Sequence, residues 1–289
     1  MENGVVMPEL VEHEMVCMEI WSGQRAVENK TVSRGMEAWI VSRPYHGEAE
    51  GGDVHYLSLC VGGIVTRLVL ADVAGHGQRV AAASATLRKL LRRYMNSKDQ
   101  SRLCADINRE FTAVDTGGRF ATAIIMTYLS HKQQLLLTNA GHPRPLFFSA
   151  LNGQWTFLQT EDVDATREEG TNVSDLPLGI VEMINYSEHR IDITQGDMLV
   201  LYTDALTEAA TSDETLLGES GLLEAITSIS IDQPTETFGR GLLSSIRSKS
   251  PEPPSDDETV IVIRFGLGKK SVSIAEKIEA YWKLLTGKK

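Results

Sequence analysis

Cysteine is scarce in this 289-residue chain: Cys17, Cys60 and Cys104 are odd in number, scattered, and outside any paired spacing. That argues against a disulfide framework or a zinc knuckle and makes a reducing cytoplasm the expected compartment. No long Lys/Arg block offsets the formal net charge of −11, so general nucleic-acid binding is not expected. Long apolar runs are missing too. The longest, such as residues 198–202 and 260–263, fall far short of the roughly 20 residues a membrane-spanning helix needs. The first residues lack a basic region followed by an apolar core, so no secretory signal is expected. No internal repeat or appended sensor domain is recognisable. The four tryptophans, Trp21, Trp39, Trp155 and Trp282, form no stacking arrangement and read as packing residues.

What is present is 42% hydrophobic content, enough for one large core or two modest ones. Residues 1–36 have weak periodicity. Strand patterns follow at 36–42, 54–61, 64–71, 119–129, 134–139, 146–149, 187–193, 198–202 and 259–265. Apolar residues at helical spacing mark 78–95, 101–114, 220–230 and 234–248. Residues 158–175 are acidic and aperiodic, which reads as a long surface loop. Ser273-x-x-Glu276 forms a capping-box pattern before an amphipathic stretch to Leu285. Strands in adjacent pairs, with helices paired between them, predict an α+β architecture of antiparallel sheets covered by helices. The alternation of a doubly wound parallel sheet is absent.

Four acids stand at strand–turn junctions. The run Leu68-Val69-Leu70-Ala71 ends on Asp72, and Val73-Ala74-Gly75-His76-Gly77 follows. Asp53 comes directly after Gly51-Gly52, Asp204 closes the apolar strand at 198–202, and Asp256 precedes the last strand. Taken alone, Asp72 and Asp53 each read first as an ordinary turn residue. The pairing of 54–61 with 64–71 across Gly62-Gly63 would bring Asp53 and Asp72 to one end of a sheet. Buried together, such carboxylates repel and their pKa values rise unless cations neutralise them. Oxygen-only ligands favour Mg²⁺ or Mn²⁺ over zinc. Two ions about 3.5–4 Å apart suit hydrolysis of a phosphomonoester.

Six segments then occur in order: Gly51-Gly52-Asp53, Asp72-Val73-Ala74-Gly75-His76-Gly77, Asn139-Ala140-Gly141-His142-Pro143, Leu176-Pro177-Leu178-Gly179, Tyr202-Thr203-Asp204-Ala205 and Asp256-Asp257-Glu258-Thr259. Together they resemble the metal-dependent protein phosphatase (PPM) family, in its bacterial branch of sporulation and stress-response serine phosphatases. The resemblance implies a four-layer αββα sandwich of two antiparallel sheets flanked by helices, with a site for two Mn²⁺ or Mg²⁺ ions. It implies a phosphatase domain over residues 36–267, an N-terminal segment 1–35 and a C-terminal helical tail 268–289. Asp72 would bridge the metals and the Val73 carbonyl would add a ligand. Asp53 would hold one ion, Asp204 and Asp256 the other, with Asp257 the lesser candidate. A metal-activated water would attack phosphorus without a phosphoenzyme intermediate. The implied substrate is a phosphoserine or phosphothreonine protein, of the anti-sigma-factor-antagonist type. Control would come from a separate regulatory protein, from oligomerisation or from residues 1–36.

Two departures from the family pattern stand out: Ala205 where Gly is common, and Ala74 where Ser is usual. Ala205 also motivates the alternative of a non-catalytic module with a weakened metal site. A third alternative is a hydrolase of small phosphoesters. No motif fixes a phosphate-gripping arginine; Arg43 and Arg119 are candidates, and each reads first as a surface or structural arginine. His76 and His142 sit in Gly- or Pro-containing loops and read first as structural, with proton donation to the leaving group as the alternative.

Overall fold

A strand with apolar side chains at consecutive positions, such as Leu68-Val69-Leu70-Ala71, must bury both of its faces. In the computed structural model it lies inside a layered stack. The structure describes residues 9–15, 20–60, 63–75, 78–97, 99–114, 118–159, 175–213, 215–250 and 252–266. The C-terminal tail, most of the 158–175 loop, His76 and Cys17 lie outside them.

In chain order the elements are β1 (Leu10–Glu14), β2 (Ile20–Gly23), β3 (Val27–Ser33), β4 (Met36–Arg43), β5 (Asp53–Cys60) and β6 (Val65–Val73), then α1 (Gln78–Tyr94) and α2 (Gln100–Ala113). There follow β7 (Ala121–Leu129), β8 (Gln134–Ala140), β9 (Leu146–Ser149), β10 (Gln154–Phe157), β11 (His189–Asp192) and β12 (Met198–Tyr202). The helices α3 (Gly218–Thr227) and α4 (Thr235–Lys249) precede β13 (Glu258–Phe265). One sheet has the order β1-β3-β4-β13-β12-β9-β10 and the other β11-β8-β7-β6-β5-β2. Neighbours are antiparallel except β1 and β3, which are parallel.

Alternation of side chains along each strand divides the apolar residues among three cores. Leu68 and Leu70 face the space between the sheets, with Ile40, Leu201 and Ile261 opposite. Val69, Ala71 and Val73 lie under α1 and α2, against Leu87, Leu103 and Phe111. Val200, Val260 and Val262 lie under α3 and α4, against Leu222, Phe238 and Leu242. The result is the expected α+β sandwich of helices, sheet, sheet and helices.

The weak periodicity of residues 1–36 concealed three strands. β1 and β3 extend one sheet and β2 edges the other, so these three strands belong to the sandwich and do not stand outside it. Strand β3 shows why the pattern was unreadable. Its Glu28 is buried, accepting from Trp39 Nε1 at 3.0 Å and from Arg240 Nε at 2.7 Å. An acid in an ion pair with a helix above it breaks the apolar alternation without breaking the strand.

That contact makes a test. Gly239 in α4 packs on Trp39, and a Cβ built there would fall 2.1 Å from Cζ3 of the indole. In an exposed helix interior Gly→Ala stabilises by about 1 kcal/mol. Here the overlap with a fully buried ring reverses the sign, and Gly239→Ala is expected to destabilise by about 2–3 kcal/mol. A thermal melt with Tm unchanged or raised would contradict the packing.

Candidate metal centre

Asp53 and Asp72 are register partners, the first residue of β5 opposite the penultimate residue of β6. Both follow the alternation that points Leu57, Leu59, Leu68 and Leu70 into the inter-sheet core. They therefore face the same space, at its end. Across it, the strand period that buries Leu199 and Leu201 brings Thr203 to the same rim, and Ile261 and Ile263 do so for Thr259. The Thr203 hydroxyl donates to Asp53 Oδ2 at 3.1 Å, and its oxygen accepts from the Thr259 N–H at 3.0 Å. The Thr259 hydroxyl bonds Ser42 at 2.9 Å. The apolar filling between the sheets thus gives way to a polar, acidic layer.

Asp204 opens a 3-10 turn, Asp204–Leu206, immediately after β12, and Asp256 lies half-buried just before β13. Electrostatics report their convergence. Burial, then the charges of Asp204, Asp256, Asp257 and Glu208, raise the Asp72 pKa to about 7. Burial, then the Asp72 charge, hold Asp53 well above the ordinary carboxylate range, against hydrogen bonds from Thr259 and Thr203. Burial and Glu208 raise Asp204. Asp72 feels the charges of Asp204 and Asp256, and Asp53 feels that of Asp72, so Asp72 links the acids singled out in the sequence at one end of the sandwich.

The backbone around them is thin where it has to be. A Cβ on Gly52 would meet the Val73 carbonyl at 2.9 Å, so glycine there leaves that oxygen room. A Cβ on Gly51 would lie 2.6 Å from the Asp257 carboxylate. Asp257 itself is buried and accepts from the Tyr45 N–H at 2.6 Å and from the Gly52 N–H. It clamps the Gly51-Gly52 turn.

The donor set fits a hard divalent cation. Asp53 Oδ1 is buried and finds no hydrogen-bond partner, an acceptor whose complement is a positive charge. Among the described residues no three His, Cys, Asp or Glu side chains already share one coordination sphere.

Glu208 was not singled out in the sequence. Exposed, it follows Asp204 by four residues, its N–H donating to the Asp204 carbonyl at 2.8 Å. The Asp204-x-x-x-Glu208 spacing, one helical turn, was the available signal. Of the two candidate arginines, Arg43 is committed to buried Glu258, with Nη1 at 2.8 Å, and Arg247 takes the other carboxylate oxygen. Arg119 lies alongside the turn after Asp72, its Nε 3.8 Å from a Cβ position on Gly75. Burial lowers the His142 pKa to about 3, which keeps its imidazole neutral.

A family model described as Stage II sporulation protein E (SpoIIE) matches residues 63–266, most of the chain. The chain belongs to the SpoIIE family. Its PP2C-like fold recurs in solved structures of bacterial phosphatases. The RsbU and RsbW domains of Rv1364c from Mycobacterium tuberculosis superpose with a TM-score of 0.69 at 19% identity, over 91% of this chain and 72% of that one. The phosphatase domain and a regulatory-domain fragment of SpoIIE from Bacillus subtilis give 0.64 at 16% identity, over 88% and 66%. RsbX in complex with magnesium gives 0.59 at 16% identity, over 83% and 100%. Comparison with curated proteins finds no match. The SpoIIE match begins at residue 63, beyond Asp53, so that acid enters the site through its register with Asp72. No helix among the described residues is long and apolar enough to cross a membrane.

Proposed function

We propose that this SpoIIE-family chain is a divalent-metal-dependent phosphatase acting on phosphoserine or phosphothreonine in a bacterial regulatory protein, of the anti-sigma-factor-antagonist type. The observation that supports the reading is the placement of Asp72 beside Asp53 in the strand register, with the charges of Asp204 and Asp256 raising its pKa. Carboxylates held together in spite of repulsion are arranged for a cation.

Asp72, central to the cluster, would be shared between two Mn²⁺ or Mg²⁺ ions. Asp53 and the Val73 carbonyl would complete one side, Asp204 and Asp256 the other. When bound, such ions supply an acidified water and neutralise phosphate charge. The protein's own part is to hold the acids on rigid strand ends. Thr203 and Thr259 orient Asp53, and Asp257 fixes the Gly51-Gly52 turn so that the Val73 oxygen stays accessible. Arg119, beside the turn that follows Asp72, is the better placed of the two arginines to meet a substrate phosphate.

The test is turnover of a phosphoserine protein in Mn²⁺ and in Mg²⁺, beside a generic aryl phosphate. Preference for the phosphoprotein supports the reading. Preference for the aryl phosphate supports a small-ester hydrolase, and no turnover across metals and pH refutes the activity.

Ala205, the feature that favoured a weakened, non-catalytic site, does not strain its turn. It is buried and is not among the residues with positive φ, so the local backbone makes no demand for glycine. Ala205→Gly is therefore expected to change Mn²⁺ affinity less than about twofold and to lower stability by about 0.5–1 kcal/mol. Calorimetric titration and a melt check both. A tenfold gain in affinity would restore the weakened-site alternative.

A further inference from the structure

One buried histidine at the rim has no part in that account. The loop that carries it is pinned. Gly141 adopts φ +67°, and Pro177 packs so closely that a Cβ there would lie 2.5 Å from its Cγ. Asn139 clamps the next residue, its Oδ1 accepting from the His142 N–H at 2.7 Å and its Nδ2 donating to the His142 carbonyl at 2.8 Å. This delivers the imidazole to a fixed place. It is 5% exposed, with Nδ1 2.9 Å from Thr122 Oγ1. Thr122 is the cross-strand partner of Asp72 in the β6–β7 register and so stands beside it on the same sheet face.

We propose that His142 is a positioning residue for the acid rim: by holding the Thr122 hydroxyl in one rotamer, it fixes the wall that orients the Asp72 carboxylate toward metal. The inference rests on the metal-dependent reading of the site. It also separates hydrogen bonding from volume. An asparagine amide carries hydrogen-bonding groups where the imidazole has Nδ1, whereas a glutamine amide reaches to the position of Nε2. A histidine that merely fills space has no use for that distinction.

The experiment is Mn²⁺ titration by calorimetry, paired with steady-state kinetics on a phosphoserine peptide, for His142→Ala, His142→Asn, His142→Gln, Thr122→Val and the double variant His142→Ala/Thr122→Val. Thr122→Val keeps the shape of the residue it replaces, and melts verify that each variant is folded. Groups that orient metal ligands typically cost 10–100-fold when removed, so His142→Ala and Thr122→Val are each expected to weaken Mn²⁺ binding about tenfold. The same variants should lower kcat with KM unchanged. His142→Asn should recover most of the loss and His142→Gln little. The double variant should be no worse than either single change, because the two residues act as one unit. Wild-type Mn²⁺ affinity in the single variants, multiplicative losses in the double, or an asparagine no better than alanine would each overturn the proposal. A wild type that binds Mn²⁺ without turning over phosphoserine ends the phosphatase reading, while the titrations still decide the role of His142. A wild type that binds no Mn²⁺ ends both.

Discussion

Asp72→Asn is expected to reduce Mn²⁺-supported turnover of a phosphoserine protein by at least about 10³-fold, roughly 4 kcal/mol of transition-state stabilisation. It should also remove the Mn²⁺ isotherm. The reason is its place among the charges: Asp72 alone is perturbed by Asp204, Asp256, Asp257 and Glu208 together, and it also perturbs Asp53. A ligand shared between two ions cannot be lost without losing both. Asp204→Asn, on a half-buried residue at the edge of the cluster, should weaken Mn²⁺ binding and leave part of it. Activity within tenfold of wild type for Asp72→Asn, in a folded variant, would sink the proposed assignment of the bridging ligand.

Why that residue was legible in the sequence, and others were not, follows from what each side chain faces. Asp72 stands one residue before the end of a strand buried on both faces, so the acid interrupts its apolar run just ahead of the glycine-rich turn. The β5–β6 pairing, with its short turn, put Asp53 and Asp72 together before any coordinates, and the register agrees. Strand β3 was lost because its periodicity is interrupted by buried or half-buried polar groups with partners far along the chain, Glu28 with Arg240 and Lys30 with Glu236, while β1 and β2 are only five and four residues long. Such pairs are invisible to a local window. Strand β10 was lost to its brevity, four residues bearing one buried aromatic, Trp155. Glu208 escaped because a helical turn just after a strand was not anticipated, and the spacing of one turn carries meaning only once that turn is known. Asp257 shows the converse: adjacent to Asp256 in sequence, it faces the Tyr45 and Gly52 amides, a division of labour that no composition or spacing records.

The same repulsion that equips the rim for cations predicts an inverse relation between activity and metal-free stability. Asp72 has a reference pKa of 3.8 and titrates at about 7 in the folded protein. Between those values the folded state binds the proton more tightly than the unfolded chain, so this group's contribution to stability falls as pH rises through the window, and the full penalty stands above it. Asp53 is shifted in the same direction. Buried His55 and His142, lowered to about 4 and about 3, work with the opposite sign: the unfolded chain takes up their protons first, so their contribution is lost as pH falls below about 6.5. The absolute profile of the metal-free protein mixes the two, and the difference between wild type and Asp72→Asn reports Asp72 together with its effect on Asp53. That difference is expected to be small around pH 4 and to grow to about 2–4 kcal/mol in favour of the variant by pH 8. Saturating Mn²⁺ should then invert the order, since it stabilises only a folded state that binds it, and more strongly as the acids lose their protons. Denaturant melts in chelator and in Mn²⁺, run on both proteins at pH 4, pH 6 and pH 8, read all of this. A metal-free Asp72→Asn protein less stable than wild type at pH 8 would mean that the carboxylate is held by contacts that outweigh its neighbours' charge, and the case for a cation at this rim would lose its physical basis.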